Sequence, residues 1–96
     1  MGNMLKQLRQ MQKDLVKAQK ELAKESVSAE AEGGALRVTL SGDQRLTDLQ
    51  ISPELLASGD AKKLASQLQK AFNEALEKSR KLAQERLGPL SSGLNF

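Results

Sequence analysis

Six cations in the first 24 residues have the types and spacing to meet an anion: Lys6, Arg9, Lys13, Lys17, Lys20 and Lys24. Projected on a helix at about 100° per residue, they fall within an arc of roughly 80°. They extend about 27 Å along the helix axis, a rail of charge suited to a polyanion. Cations on an outer helix face commonly serve only to keep it soluble. Such faces usually mix signs, however, because Glu–Lys pairs at i,i+4 support a helix. Here Lys13–Lys17 and Lys20–Lys24 are like-charge pairs at that spacing, each mildly destabilising.

Other chemistries lack their residues. The 96-residue chain has no His and no Cys, which removes the commonest general base, the commonest metal ligand and the best nucleophile. There is no phosphate-binding G-x-x-x-x-G-K-[ST] loop, and no Ser is followed three residues later by Lys. Glu30 and Glu32 share a face if they lie on one strand, but two exposed carboxylates make a weak cation site. The expectation is a protein that is not an enzyme, with no cofactor, metal or small-molecule substrate.

The cationic arc needs a helix to hold it, and residues 3–24 supply one. Met4, Leu8, Met11, Leu15, Ala18 and Leu22 recur at alternating steps of four and three, the rhythm of a helix packed along another. The cations occupy the outer positions of that heptad, whereas Asp14 and Glu21 sit beside the seam. Charge is segregated along the chain as well. Residues 1–24 hold six basic and two acidic groups, and residues 25–60 hold two and seven. With a net charge of +3, the asymmetry points to nucleic acid or another anionic surface.

Next, residues 26–32, SVSAEAE, alternate as a strand, and Gly33-Gly34 makes a turn. ALRVTLS then places Leu36, Val38 and Leu40 on one face. After a second turn at Gly42-Asp43, QRLTDLQIS sets Leu49 and Ile51 in register with Leu46 out of phase, which a bulge near Thr47-Asp48 reconciles. Ser52-Pro53-Glu54 starts a short helix at 53–57, with Ser at the N-cap and Pro at the first position. Asp60 caps a second long helix spanning 60–87, whose mixed charges read as an ordinary solvated face, with Lys78, Lys81 and Arg86 as possible additions to a basic surface. Gly88-Pro89 ends it, and an uncharged tail, 88–96, carries Leu94 and Phe96.

The expected fold is α+β in a single domain, 1–96: a helix over 1–25, a three-stranded antiparallel meander over 26–52, then the short and long helices. A short sheet cannot cover the apolar seams of both long helices, and Phe72 and Phe96 are the only aromatics. A homodimer follows, with the first helix turning its apolar flank to a second copy. No apolar run approaches 18 residues and no signal-peptide core is visible, so the cytoplasm is the default expectation.

In their order, GNMLKQLRQMQKDLVKAQKEL, EGGALRVTLSGD, ISPELL and AFNEALEKSRKLAQERLGPLSSGL closely resemble the YbaB/EbfC family of bacterial nucleoid-associated DNA-binding proteins. The resemblance spans essentially the whole chain. It implies an interlocked α/β homodimer whose long helices project like tweezer arms, duplex DNA as partner, and a role in nucleoid organisation and gene regulation. Carried onto this sequence, it assigns DNA binding to Lys6, Arg9, Lys13, Lys17, Lys20 and Lys24, with a lesser contribution from Lys78, Lys81 and Arg86. Two departures stand out. Lys62 and Lys63 occupy a segment that is usually acidic in the family, which would broaden a DNA-binding surface, and the Gly-rich tail is short. Asn73, at a recurrent family position, reads as an amide bonding across the dimer or to nearby backbone.

The implied mechanism is electrostatic: ammonium groups meet phosphates and condensed counterions leave, so affinity falls steeply with salt. One Arg among six cations leaves little for guanine readout, and no aromatic residue is available for stacking on single strands. Asn3, Gln7 and Gln10 flank the cations as candidate base readers, and weak sequence preference is expected. The alternative is a helical dimeric adaptor or chaperone gripping an acidic protein. A membrane-surface helix ranks third, since those favour bulky aromatics over Met, Leu and Ala at heptad spacing.

Overall fold

A computed structural model describes residues 2–91, with side chains described through Gly88. Helix α1 runs Gly2–Lys24, and strands β1 (Ser26–Ala31), β2 (Leu36–Ser41) and β3 (Leu46–Ile51) follow. A short helix α2 (Pro53–Ala57) leads into the long helix α3 (Ala61–Ser91). The three strands form an antiparallel meander in the order β1-β2-β3, so the expected α+β succession of elements is the observed one. The molecule is elongated, 67 × 20 × 17 Å.

The sheet carries its Ala, Val, Leu and Ile residues on one face. Val38 pairs with Ala29 on one side and Leu49 on the other, while Leu36 faces Ala31 and Ile51. Thr39 pairs with Asp48 but Leu40 pairs with Leu46, leaving Thr47 as the extra residue of a bulge. That one-residue insertion brings Leu46 back onto the apolar face, as its phase in the sequence requires. Leu36, Val38 and Leu40 are fully buried, each contributing about 1.5–3 kcal/mol of burial.

Helix α3 covers β1 and β2 and makes little contact with β3. Ala71, Ala75 and Ser79 repeat every fourth residue at zero exposure, and their small size lets the helix approach the strands closely. Ser79 does not belong to the apolar pattern that marks α3 in the sequence. Its hydroxyl earns the place by donating to the Ser41 carbonyl at 2.9 Å, with the Gly42 carbonyl at 3.3 Å.

Two boundaries differ from expectation in ways that bear on the packing. Glu32 leaves β1 and joins the tight turn Glu32–Gly34 with φ of 53°. There it pairs with Lys63 at 3.5 Å, so Glu30 and Glu32 do not share a strand face. Glu30 instead stands opposite Arg37 across the β1–β2 pair. Helix α3 continues through Gly88 and Pro89 to Ser91 rather than ending at 87. The expected docking of Leu94 and Phe96 lies outside the described residues. The N-caps of both later helices match the expectation: Ser52 Oγ accepts from Leu55 N at 3.2 Å in α2, and Asp60 Oδ1 accepts from Lys63 N at 3.0 Å in α3.

The exit of α1 is fixed where α1, the β2–β3 turn and α3 meet. Leu22 is buried, and the Gly42 amide donates to the Glu25 carbonyl at 2.9 Å. Arg86 of α3 grips the Glu25 carboxylate through two bonds, Nε to Oε2 at 3.1 Å and Nη2 to Oε1 at 2.8 Å. These hydrogen bonds hold the Glu25 carboxyl below its ordinary 4.5, partial desolvation opposes them, and the guanidinium charge adds to the lowering. The same partnership raises Arg86.

A methyl group at Gly42 would stand 2.4 Å from the Leu22 carbonyl oxygen and 2.6 Å from its Cδ1. Gly42→Ala must therefore lift the end of α1, and urea denaturation is expected to show a loss of about 1–3 kcal/mol. The Glu25–Arg86 pair makes a second prediction. A carboxyl lowered on folding stabilises above its unfolded value and loses that contribution as pH falls through its folded value. The difference in Tm between the parent and Glu25→Gln should be positive at neutral pH and shrink steadily as pH falls below the ordinary carboxylate range.

Candidate nucleic-acid interface

The six cations of α1 all have exposed side chains. The ion pairs among the described residues are Lys63–Glu32, Lys78–Glu74 and Arg86–Glu25, and none involves this stripe. Asp14, the carboxylate within reach of the stripe's middle, is half-buried and accepts a hydrogen bond from Gln10 Nε2 at 2.9 Å. That bond occupies Gln10, one of the candidate base readers. Among the described residues the stripe thus keeps its charge without an ion-pair partner.

The opposite flank of α1 explains why the cations face outward. Met11, Leu15 and Ala18 are half-buried and Leu22 is buried, with α1 packing along α3 of the same chain. The C-terminal half of the seam expected to turn to a second copy thus packs on α3 of its own chain. Burial fades toward the N-terminus, where Met4 and Leu8 are 71% and 49% exposed. Along the outer side, Arg9, Gln12, Lys13, Val16, Lys17 and Lys20 line an open concavity of about 450 Å³. All its walls come from one helix, so it is a shelf on a surface rather than an enclosed small-molecule site. Val16, 48% exposed among four cations, is a feature the heptad reading passes over.

The α3 candidates differ from the stripe. Lys78 Nζ donates to the Ser28 carbonyl of the edge strand β1 at 2.9 Å and lies 4.0 Å from Glu74. Arg86 is held by Glu25. Only Lys81 of the three is exposed without an ion pair among the described residues. Lys63 is paired with Glu32, whereas Lys62 is exposed. Asn73 is exposed, and its side chain makes no hydrogen bond among the described residues.

A second unpartnered surface lies at β3. Leu46 and Leu49 are 53% and 40% exposed because α3 does not reach over this strand. With Val38, Ala65, Leu68, Gln69 and Phe72 they line an apolar groove of about 340 Å³. No metal-binding cluster of acidic residues occurs among the described residues, and no helix there is long and apolar enough to cross a membrane.

Known proteins share this sequence and fold. The profile of the YbaB/EbfC DNA-binding family matches residues 1–94. A nucleoid-associated protein of Alkaliphilus metalliredigens is 35% identical over 96 residues, covering 100% of this chain and 84% of that one. One from Streptomyces griseus is 39% identical over 94 residues, covering 98% and 82%. Among solved structures, an uncharacterized protein from Helicobacter pylori superposes with a TM-score of 0.68 at 23% identity, covering 81% of this chain and 90% of that one, which shows a shared fold. The family is one of DNA-binding proteins rather than enzymes, and the full-length sequence match places this chain in it: the protein is a member of the YbaB/EbfC DNA-binding family.

Proposed function

We propose that the protein is a homodimeric nucleoid-associated protein that binds duplex DNA chiefly through phosphate contacts from α1, with little preference for sequence. The observation that carries this reading is the stripe of Lys6, Arg9, Lys13, Lys17, Lys20 and Lys24, exposed throughout and without an ion pair among the described residues. Like charges crowded on one flank raise the free energy of the unbound helix, and a line of phosphates relieves that repulsion. Lys24 lies closest to the sheet, and Lys81 supplies a further exposed cation on α3. Lys78 and Arg86 would have to give up their present partners to join the contact.

Weak sequence preference follows from residue type. Lysine presents a point charge that suits any phosphate, whereas reading guanine calls for the fork of an arginine. Arg9 is the single arginine of the stripe.

Dimerisation follows from the groove at β3. An apolar surface made by Leu46, Leu49, Leu68 and Phe72 beside an unpaired strand edge is costly to leave in water. A second copy seated there would cover it and place two cationic helices on one assembly, raising the number of phosphates met at once. The adaptor alternative, in which the stripe grips an acidic protein, shares the salt dependence but predicts that excess duplex DNA leaves the partner bound.

Two results test this reading. Leu49→Asp buries a charge in the groove, and sedimentation equilibrium should show monomer where the parent is a dimer. Changing Lys13, Lys17 and Lys20 together to Gln should leave a folded dimer whose DNA affinity falls and whose salt slope flattens by about 2.7, at roughly 0.9 per phosphate contact. Unchanged retention of DNA by that triple variant would refute the assignment of the stripe.

A further inference from the structure

The pairing of Arg86 with Glu25 joins residues 61 positions apart in the sequence. Glu25 is the single residue between α1 and β1, and Arg86 lies on α3, the helix along which α1 packs. Two bonds at 3.1 and 2.8 Å fix both the distance and the plane of the contact, which a single bond would leave free to rotate. Around it, Leu22 is buried and the Gly42 amide holds the Glu25 carbonyl. Beyond Met11 toward the N-terminus, α1 has no buried residue. The direction of its outer half is therefore set by how its base is held.

We infer that Arg86 is a positioning residue rather than a phosphate ligand: its two-bond grip on Glu25 aims α1, and so aligns the lysine stripe with the DNA backbone. The inference rests on the stripe being the DNA-binding surface. Its physical content is that the fork matters and the charge alone does not. Lysine has the same charge but cannot hold both carboxylate oxygens in one plane. A small rotation at the base of a helix of 23 residues becomes a displacement of several ångströms at its tip, since α1 is about 34 Å long.

This makes predictions opposite to those of simple electrostatics. Were Arg86 a phosphate ligand held in reserve by Glu25, Glu25→Gln would free it and remove a negative charge near the DNA. Affinity would then rise, and Arg86→Lys would bind nearly as the parent does. If the pair positions α1, Glu25→Gln and Arg86→Lys both weaken binding, by about two- to fivefold for a half-exposed bidentate pair.

The experiment is a filter-binding titration of a random-sequence duplex against full-length parent, Glu25→Gln, Arg86→Lys and the exchanged pair Glu25→Arg with Arg86→Glu. Circular dichroism accompanies each variant to establish that it is folded. The expected result is weaker binding by both single variants and at least partial recovery by the exchanged pair, which conserves net charge. Hydrogen exchange should also quicken at the amides of residues 22–25 in the single variants. Binding by Glu25→Gln as tight as the parent's or tighter, or parent-like binding by Arg86→Lys, would overturn the inference. The Lys13/Lys17/Lys20 triple variant, run alongside, separates the two readings. If it binds as the parent does, the stripe assignment is wrong. If it loses binding while Glu25→Gln does not, the stripe stands and only the positioning role falls.

Discussion

The close approach of Gly42 to the end of α1 is the constraint on which the rest of the structure depends. No side chain fits between the β2–β3 turn and the Leu22 backbone, so the helix closes directly onto the sheet. That contact buries Leu22, brings the Glu25 carbonyl to the Gly42 amide, and leaves the Glu25 carboxylate facing Arg86. Ser79 satisfies the carbonyls of Ser41 and Gly42 from the α3 side. One small region thus joins both long helices to the turn between two strands. The apolar flank of α1 is held against α3, and the cationic flank has nowhere to face but solvent.

Two surfaces remain unpartnered, and they differ in kind. The stripe is charged and extended, with long flexible side chains that stay hydrated. The β3 groove is largely apolar and concave, and water gains little by filling it. Their chemistry assigns them different partners: a polyanion for one and a hydrophobic surface of matching shape for the other. Because the two lie apart on one small chain, the proposed second copy would cover the groove without masking the charge.

Much of this architecture was legible in the sequence because its local signals agree with its packing. Leu46 falls out of phase with Leu49 by one residue, and only a bulge restores it, so Thr47 was findable from alternation alone. Ser52-Pro53 and Asp60 announce their helices through capping chemistry that needs no tertiary information. The cationic arc follows from helical geometry. What stayed hidden depends on distant contacts. Ser79 is buried because carbonyls of the β2–β3 turn come to meet it, which no helical periodicity reveals. Arg86 looked like one more solvated cation until the fold brought Glu25 alongside. The stop signal Gly88-Pro89 misled, since α3 runs on through it to Ser91. The seam of α1 was correctly seen as apolar, but sequence alone could not say that its own chain covers the C-terminal half.

The central claim is that a rail of unpaired lysines captures DNA by displacing counterions, and the most direct measurement is the salt dependence of binding to random-sequence duplex. The account predicts a linear fall of log K with log salt whose slope corresponds to several phosphates, at roughly 0.9 for each one neutralised. A slope near zero, or binding that survives at high salt undiminished, would contradict it.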